Sequence, residues 1–145
     1  MDLLIKKLVL GLFQKEAADG AFLIYDTHDL NQADGQIDCA ENITLSLDIK
    51  NVGNDPTSNV TVTLSSESEY VTISDATATI ASIAGNEVVS LNNEFAFSVA
   101  PNVPDQEKVE FKITCSDGNE TWESTFKVTA NAPVVNFKEF VFAGQ

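Results

Sequence analysis

From residue 42 onward, apolar and polar side chains take turns. Ile43, Leu45, Leu47 and Ile49 alternate with Thr44, Ser46, Asp48 and Lys50, which gives a strand one oily face and one wet face. The same period of two recurs at Val60, Val62 and Leu64, at Tyr70, Val71 and Ile73, and at Ala78 and Ile80. Val88, Val89 and Leu91 lead through Asn92-Asn93 to Phe95, Phe97 and Val99. Val109, Phe111, Ile113 and Cys115 alternate strictly, and Trp122, Ser124, Phe126 and Val128 return along a partner. Between these runs lie turn-forming stretches: residues 51–56 (NVGNDP), Ala84-Gly85-Asn86, residues 101–105 (PNVPD), and Ser116-Asp117-Gly118-Asn119. Their Gly, Asn, Asp and Pro residues accept left-handed or fixed backbone angles. Upstream, residues 21–25 (AFLIY) read as a further strand, a candidate edge strand, and residues 26–42 as a long polar loop.

This pattern predicts seven or eight strands between residues 43 and 130, with no room for a helix between them. Without helical crossovers a parallel sheet has no way to form. Clean alternation points to antiparallel sheets, each with one buried face. Two such faces must cover each other, so the expected fold is all-β: an immunoglobulin-like antiparallel β-sandwich of seven to eight strands with a short N-terminal extension. Trp122, Phe111, Phe97 and Leu47 are the candidates for its centre. Strand order is not written in the alternation, so a jelly roll or a small barrel stays open. The expected division is an N-terminal extension over residues 1–35, with a short helix and a strand, the sandwich over 36–133, and a C-terminal strand or the start of a following domain over 134–145.

The two ends are the most apolar parts of the chain. Eight of the eleven residues from 3 to 13 are apolar, with Lys6 and Lys7 among them. A short helix packed on the body is one reading, an export signal with a positive start and an apolar run is a second, and a boundary cut from a longer protein is a third. No stretch approaches the roughly 20 apolar residues of a membrane-spanning helix. Residues 134–142 (VVNFKEFVF) are strand-like and aromatic. They are expected either to pair within the chain beside the N-terminal segment, to pair with a second copy through edge strands, or to lead into another domain.

Charge narrows the function classes. The 145 residues carry 22 acids against 8 Lys and no Arg, a formal net charge of -14. Nucleic-acid binding needs a basic face that eight scattered Lys do not build. Lacking Arg, the chain has no bidentate clamp for phosphate. One His and two Cys supply neither a thiolate–imidazole pair in a catalytic context nor a Cys- or His-rich metal site. Nor does any Gly-rich loop open a helix to cradle phosphate.

The order of short motifs resembles that of the immunoglobulin-like modules found in secreted and surface proteins of the Bacteroidetes. Those modules open on an acidic stretch, matched here by Asp34-Gly35-Gln36-Ile37-Asp38 and Glu41, and Cys39-Ala40 stands where they usually carry Pro-Gly. An NxG turn follows the first strand, at Asn51-Val52-Gly53. NVTVTL and YVTI strands come next, at residues 59–64 and 70–73, and the later pieces match at 95–104 and 117–128. The likeness spans residues 34–133. Such modules occur beside gingipain-like cysteine peptidase domains and in adhesins. The resemblance therefore implies a non-enzymatic, exported structural or cell-adhesion-type module, located extracellularly, at the cell surface or in the periplasm. Its partners would be proteins or other domains of a longer chain. The alternatives are an accessory sandwich of a secreted gingipain-like peptidase and a carbohydrate-binding module.

Two candidate chemistries remain. Calcium takes six to eight oxygens at a turn, and Asp29, Asn31, Asp34, Asp38 and Glu41 crowd one loop. An EF-hand is excluded, because Leu30 falls on its first ligand position and no helix follows Glu41. A looser Ca²⁺ site on those five residues is the sharper expectation. Cys39 opens the first sandwich strand and Cys115 closes the sixth, so alternating strand directions place both at one end and allow a disulfide.

Overall fold

A computed structural model describes residues 20–32 and 34–133; the expected N-terminal helix and the expected C-terminal strand both lie outside the described residues. Nine strands and no helix make up the described part: β1 (Leu23–Asp29), β2 (Ile37–Asp38), β3 (Asn42–Asn51), β4 (Thr57–Ser66), β5 (Val71–Asp75), β6 (Thr77–Ile83), β7 (Val88–Val99), β8 (Glu107–Ser116) and β9 (Thr121–Asn131). They form a four-stranded sheet, β1-β3-β7-β5, and a five-stranded sheet, β2-β9-β8-β4-β6. The fold is the expected all-β sandwich. Every pairing is antiparallel except the two rungs between β2 and β9, Ile37↔Ala130 and Asp38↔Asn131. That parallel contact joins segments far apart in sequence, so it needs no dedicated crossover.

The interval from 42 to 131 holds seven strands, β3 to β9, because Asn92-Asn93 is not a connection. Leu45 faces Phe95 while Leu47 faces Leu91, so β7 carries extra residues against β3 and bulges. Asn93 turns at φ 57, and its N–H donates to Ser46 Oγ at 2.8 Å. The apolar side chains on either side of the bulge stay on the buried face.

The sandwich also begins earlier than residue 36. β1 pairs with β3 from Leu23↔Asn51 to Asp29↔Ser46, as an edge strand of the smaller sheet. A register shift between Tyr25 and Thr27 breaks its period of two. His28 therefore lands on the inner side beside Tyr25, and alternation alone read residues 26–29 as loop.

Both sheets turn one face inward. Leu45, Leu47, Ile49, Phe95 and Phe97 meet Val62, Leu64, Phe111 and Ile113, all 2% exposed or less. Phe97 and Phe111 touch across the layers with ring centroids 4.9 Å apart. Trp122 is 8% exposed, so all four residues expected at the centre are buried. At one side of the sandwich the chain steps from β5 in one sheet to β6 in the other through Ala76, whose carbonyl accepts from Leu64 N–H at 2.8 Å. At the other side Tyr25 N–H, freed by the register shift, donates to Ser124 Oγ on β9 at 3.0 Å.

The chain enters the sandwich at one pole, where the turn after β3, the turn before β7 and the β8–β9 hairpin gather. Asn51, the one fully buried polar side chain among the described residues, organises that pole. Its Oδ1 accepts from Phe22 N–H at 3.0 Å and Gly53 N–H at 2.9 Å, and its Nδ2 donates to the Asp55 carbonyl at 2.8 Å. Its backbone pairs with Glu87 and Asn86 in the turn before β7. Gly53 lies against the incoming chain: a Cβ there would overlap the Gly20 carbonyl oxygen and stand 2.9 Å from Ala21 Cα. The chain leaves at the opposite pole, after Asn131. Eleven residues of β9 separate the two poles, about 35 Å at the usual rise per residue.

Two substitutions test this knot. Asn51→Ala strands two buried N–H groups, each costing about 1–3 kcal/mol, so the urea midpoint is expected to fall by the equivalent of about 3 kcal/mol. Gly53→Ala forces β1 away from β3 and is expected to cost at least about 2 kcal/mol. An unchanged midpoint in both variants would show that the knot contributes nothing to stability.

Candidate functional site

The five loop residues expected to hold a cation occupy the exit end of the smaller sheet and the strip beside β9, and the side chains of four of them, Asp29, Asn31, Asp34 and Glu41, make local hydrogen bonds. Asp29 Oδ1 accepts from Asn31 N–H at 2.8 Å. Asn31, at φ 58, donates through Nδ2 to the Thr44 carbonyl at 2.9 Å and to Asn93 Oδ1 at 2.7 Å, which pins the chain leaving β1 onto the β7 bulge. Asp34 Oδ1 caps a turn by accepting from Gln36 N–H at 3.0 Å. Glu41 Oε1 accepts from Asp38 N–H at 2.8 Å, beside the point where Cys39 N–H donates to the Asn131 carbonyl. Asp29 and Asn31 thus belong with Asn93, whereas Asp38 and Glu41 belong with the end of β9. Among the described residues no three His, Cys, Asp or Glu side chains converge in a metal-holding group.

Asp29 and Asn31 do line a shallow polar hollow of about 540 Å³ on the outer face of the smaller sheet, together with Asp48, Ser46, Ser90 and Asn92. Across the sandwich, the loop from Glu67 to Tyr70 curls over β8 and roofs a groove of about 620 Å³. Serine turns shape that loop: Ser66 Oγ accepts from Ser68 N–H and Ser68 Oγ from Tyr70 N–H, at 3.2 and 3.1 Å. Lys108, Lys112 and Glu110 form the floor, and Tyr70 closes one end. Hydrogen bonding to Glu69, then the charge of that carboxylate, raises the Tyr70 phenol above its ordinary pKa. The groove offers one half-buried aromatic ring, not an exposed platform; Trp122 and Phe126 face the core.

The disulfide that the strand count allowed between Cys39 and Cys115 is not present; both thiols are free. Cys115 pairs with Trp122 near the entry pole, whereas Cys39 follows β2 beside Asn131 at the exit pole. The expectation counted strands from Cys39 as if it opened β3 in a simple up-and-down order. The connection between β5 and β6 instead changes sheets without changing poles, which removes that parity. Burial pushes the Cys115 thiol up to about 11.

His28 falls in the stretch whose polar composition predicts a loop, and its structural role is not visible in the sequence. Its ring stacks on Phe126 at 4.5 Å, and Phe126 stacks in turn on Phe111 at 5.3 Å. Nδ1 and the Tyr25 hydroxyl share a hydrogen bond of 2.8 Å. Burial lowers the His28 pKa below 6.5, with the Asp29 charge opposing the shift. A register shift within an edge strand is the signal that would have placed His28 inward, and no local motif announces it.

Two outcomes follow from this environment. Because the folded His28 binds its proton less readily than the unfolded one, stability is full above the unfolded value near 6.5 and declines as pH falls below it. The melting temperature is expected to drop between pH 7.5 and 5.5, and His28→Gln to flatten that slope; identical slopes would exclude His28 as the titrating group. Thiol titration with an aromatic disulfide reagent is expected to label Cys39 at once and Cys115 only on unfolding, with intact mass and melting temperature indifferent to reductant. Slow labelling of both thiols until reductant is added would reinstate the bond.

No protein-family model matches the chain, and no curated protein matches it. Solved structures do. The chain is similar to the CARDB domain of the PF1109 protein from Pyrococcus furiosus, solved in complex with di-metal ions, at 13% identity over 83% of this chain and 100% of that one, with a TM-score of 0.44. It is also similar to a FixG-related protein from Vibrio parahaemolyticus, at 15% identity over 77% and 94% of the two chains, TM-score 0.41. A conjugative transposon lipoprotein from Bacteroides eggerthii follows at 13% identity over 74% and 95%, TM-score 0.39.

Proposed function

We propose that this chain is a non-enzymatic, exported structural module of the cell-adhesion type, a spacer that carries tension between neighbouring parts of a longer protein at the cell surface or in the periplasm. The observation that carries this reading is the placement of the chain's entry and exit at opposite poles, about 35 Å apart along β9. A module strung that way adds its full length to a stalk. The interior supports it: among the described residues the inner faces are filled by apolar side chains from Leu23 to Ala130. The motif resemblance favours a narrower version, in which the sandwich accompanies a gingipain-like peptidase domain and holds it away from the surface. A Ca²⁺ ion on the Asp29–Glu41 loop would serve such a module by stiffening its exit pole, and a melting temperature unmoved by both Ca²⁺ and EDTA would remove that part of the proposal.

Pulling geometry tests the spacer. Force applied between residues 20 and 133 shears β1 along β3 and β9 along β8. Force applied between residues 20 and 118 acts within one pole and peels the pairs open one at a time. In single-molecule pulling through engineered handles, the first geometry is expected to need clearly the larger unfolding force. Equal forces, or turnover of peptide or glycan substrates that a single carboxylate substitution abolishes, would overturn the reading.

A further inference from the structure

The entry pole carries a hollow that the sandwich leaves unfilled. It measures about 590 Å³ and lies between the incoming chain, the turn after β3 and the β8–β9 hairpin. Its apolar wall is Phe22, Pro56 and the edge of Trp122; its rim carries the carboxylates of Asp55, Asp117, Glu120 and Glu123. Phe22 is 44% exposed, and with Val88 it is one of two large hydrophobic side chains left in water among the described residues. The backbone allows it no retreat. Its N–H is held by Asn51 Oδ1 and its carbonyl by Val52 N–H at 2.8 Å. Asp117 is held ionised by the Thr57 hydroxyl at 2.7 Å and by the N–H groups of Glu120 and Asn119. The rim is therefore a fixed negative ring around an oily floor, and it suits a segment that is both apolar and basic.

The chain supplies one. Residues 3–15 (LLIKKLVLGLFQK) hold eight large apolar side chains and three Lys, with no acid among them. They stand immediately upstream of Gly20, which itself lines the hollow. Six residues separate Phe13 from Gly20, enough for a reach of about 20 Å. With three Lys and no acid it is the most basic stretch of its length in a chain of net charge -14, and diffusion from the linker keeps it at high local concentration over the hollow. We propose that residues 3–15 dock in this hollow, laying apolar side chains on Phe22 and Pro56 and setting Lys6, Lys7 and Lys15 against the carboxylate ring. Docking covers the exposed Phe22 and fixes the direction in which the chain approaches β1.

Zero-length carbodiimide cross-linking of the full chain, checked by intact mass to carry all 145 residues, tests this. The ion pair between Lys112 and Glu123, 3.7 Å apart on the sandwich surface, serves as the internal control. Peptide mapping of the monomer is expected to find Lys6, Lys7 or Lys15 joined to Asp55, Asp117 or Glu120. The double variant Leu10→Asp/Leu12→Asp keeps the lysines and spoils the apolar side, and is expected to cut those cross-links several-fold while the control is unchanged. Trp122, the single Trp of the chain, gives an independent readout: acrylamide quenching is expected to rise in the same variant. A monomer showing the control cross-link alone would overturn the proposal. So would cross-links confined to a dimer, which would make a second copy the occupant, or cross-links and quenching that ignore the double variant, which would reduce the contact to charge alone.

Discussion

The amide of Asn51 is the point on which the entry pole depends. An edge strand has one neighbour and half its backbone groups unpaired, so β1 would fray from β3 without further anchorage. Asn51 supplies it from the end of β3 itself. One side-chain oxygen takes the N–H of Phe22 and the N–H of Gly53, and the nitrogen closes the turn on Asp55. A carboxylate in the same place would accept but not donate, and a Leu would do neither. Buried amides of this kind are costly when half satisfied and rigid when complete, which explains why so much of the pole is arranged around one side chain. Gly53 belongs to the same device, since the Gly20 backbone passes through the space its side chain would need.

From that anchor the two open sides of the sandwich are closed by different means. On the β5–β6 side the covalent chain itself crosses between sheets. On the β1–β9 side the crossing is made by side chains: Ser124 reaches the freed N–H of Tyr25, and Tyr25, His28 and Phe126 stack as one aromatic column continuous with Phe111 in the core. The register shift in β1 is what turns His28 inward to complete the column. A straight strand would have put Thr27 there and left the edge open to another chain.

Most of the sandwich was legible in the sequence because burial imposes a period of two wherever one face of a strand is wet. Strands β3, β4, β8 and β9 follow that rule without interruption, and Leu47, Phe97, Phe111 and Trp122 lie where the alternation put them. The reading failed where the backbone departs from a uniform pleat. The bulge at Asn93 is not announced by the sequence, because bulges and turns draw on the same residues with positive φ. Residues 26–29 look like loop because all four are polar, and the shift at Asp26 that turns His28 inward leaves no mark in the alternation. The Cys39–Cys115 expectation failed for a topological reason, as alternation carries no record of which sheet a strand joins. The acidic loop was legible only as composition. Asp29, Asp34 and Glu41 accept hydrogen bonds from backbone N–H groups, which a list of oxygen donors does not show.

The distribution of charge bears on how the sandwich meets its surroundings. An acid excess of this size raises self-repulsion and opposes close approach of like copies. The outer faces add nothing sticky. Thr79, Thr61 and Ser116 stand in cross-strand register on the larger sheet, as do Thr77, Thr63 and Thr114. Hydroxyls at such positions keep a sheet face wet while their β carbons still favour the extended backbone. Among the described residues the two large hydrophobic side chains left exposed are Phe22 and Val88, and Phe22 is held in the open by the same Asn51 that secures β1. The apolar exposure and the anchor are thus one feature, since the hydrogen bonds that hold the strand in place also deny its first aromatic side chain a place in the core.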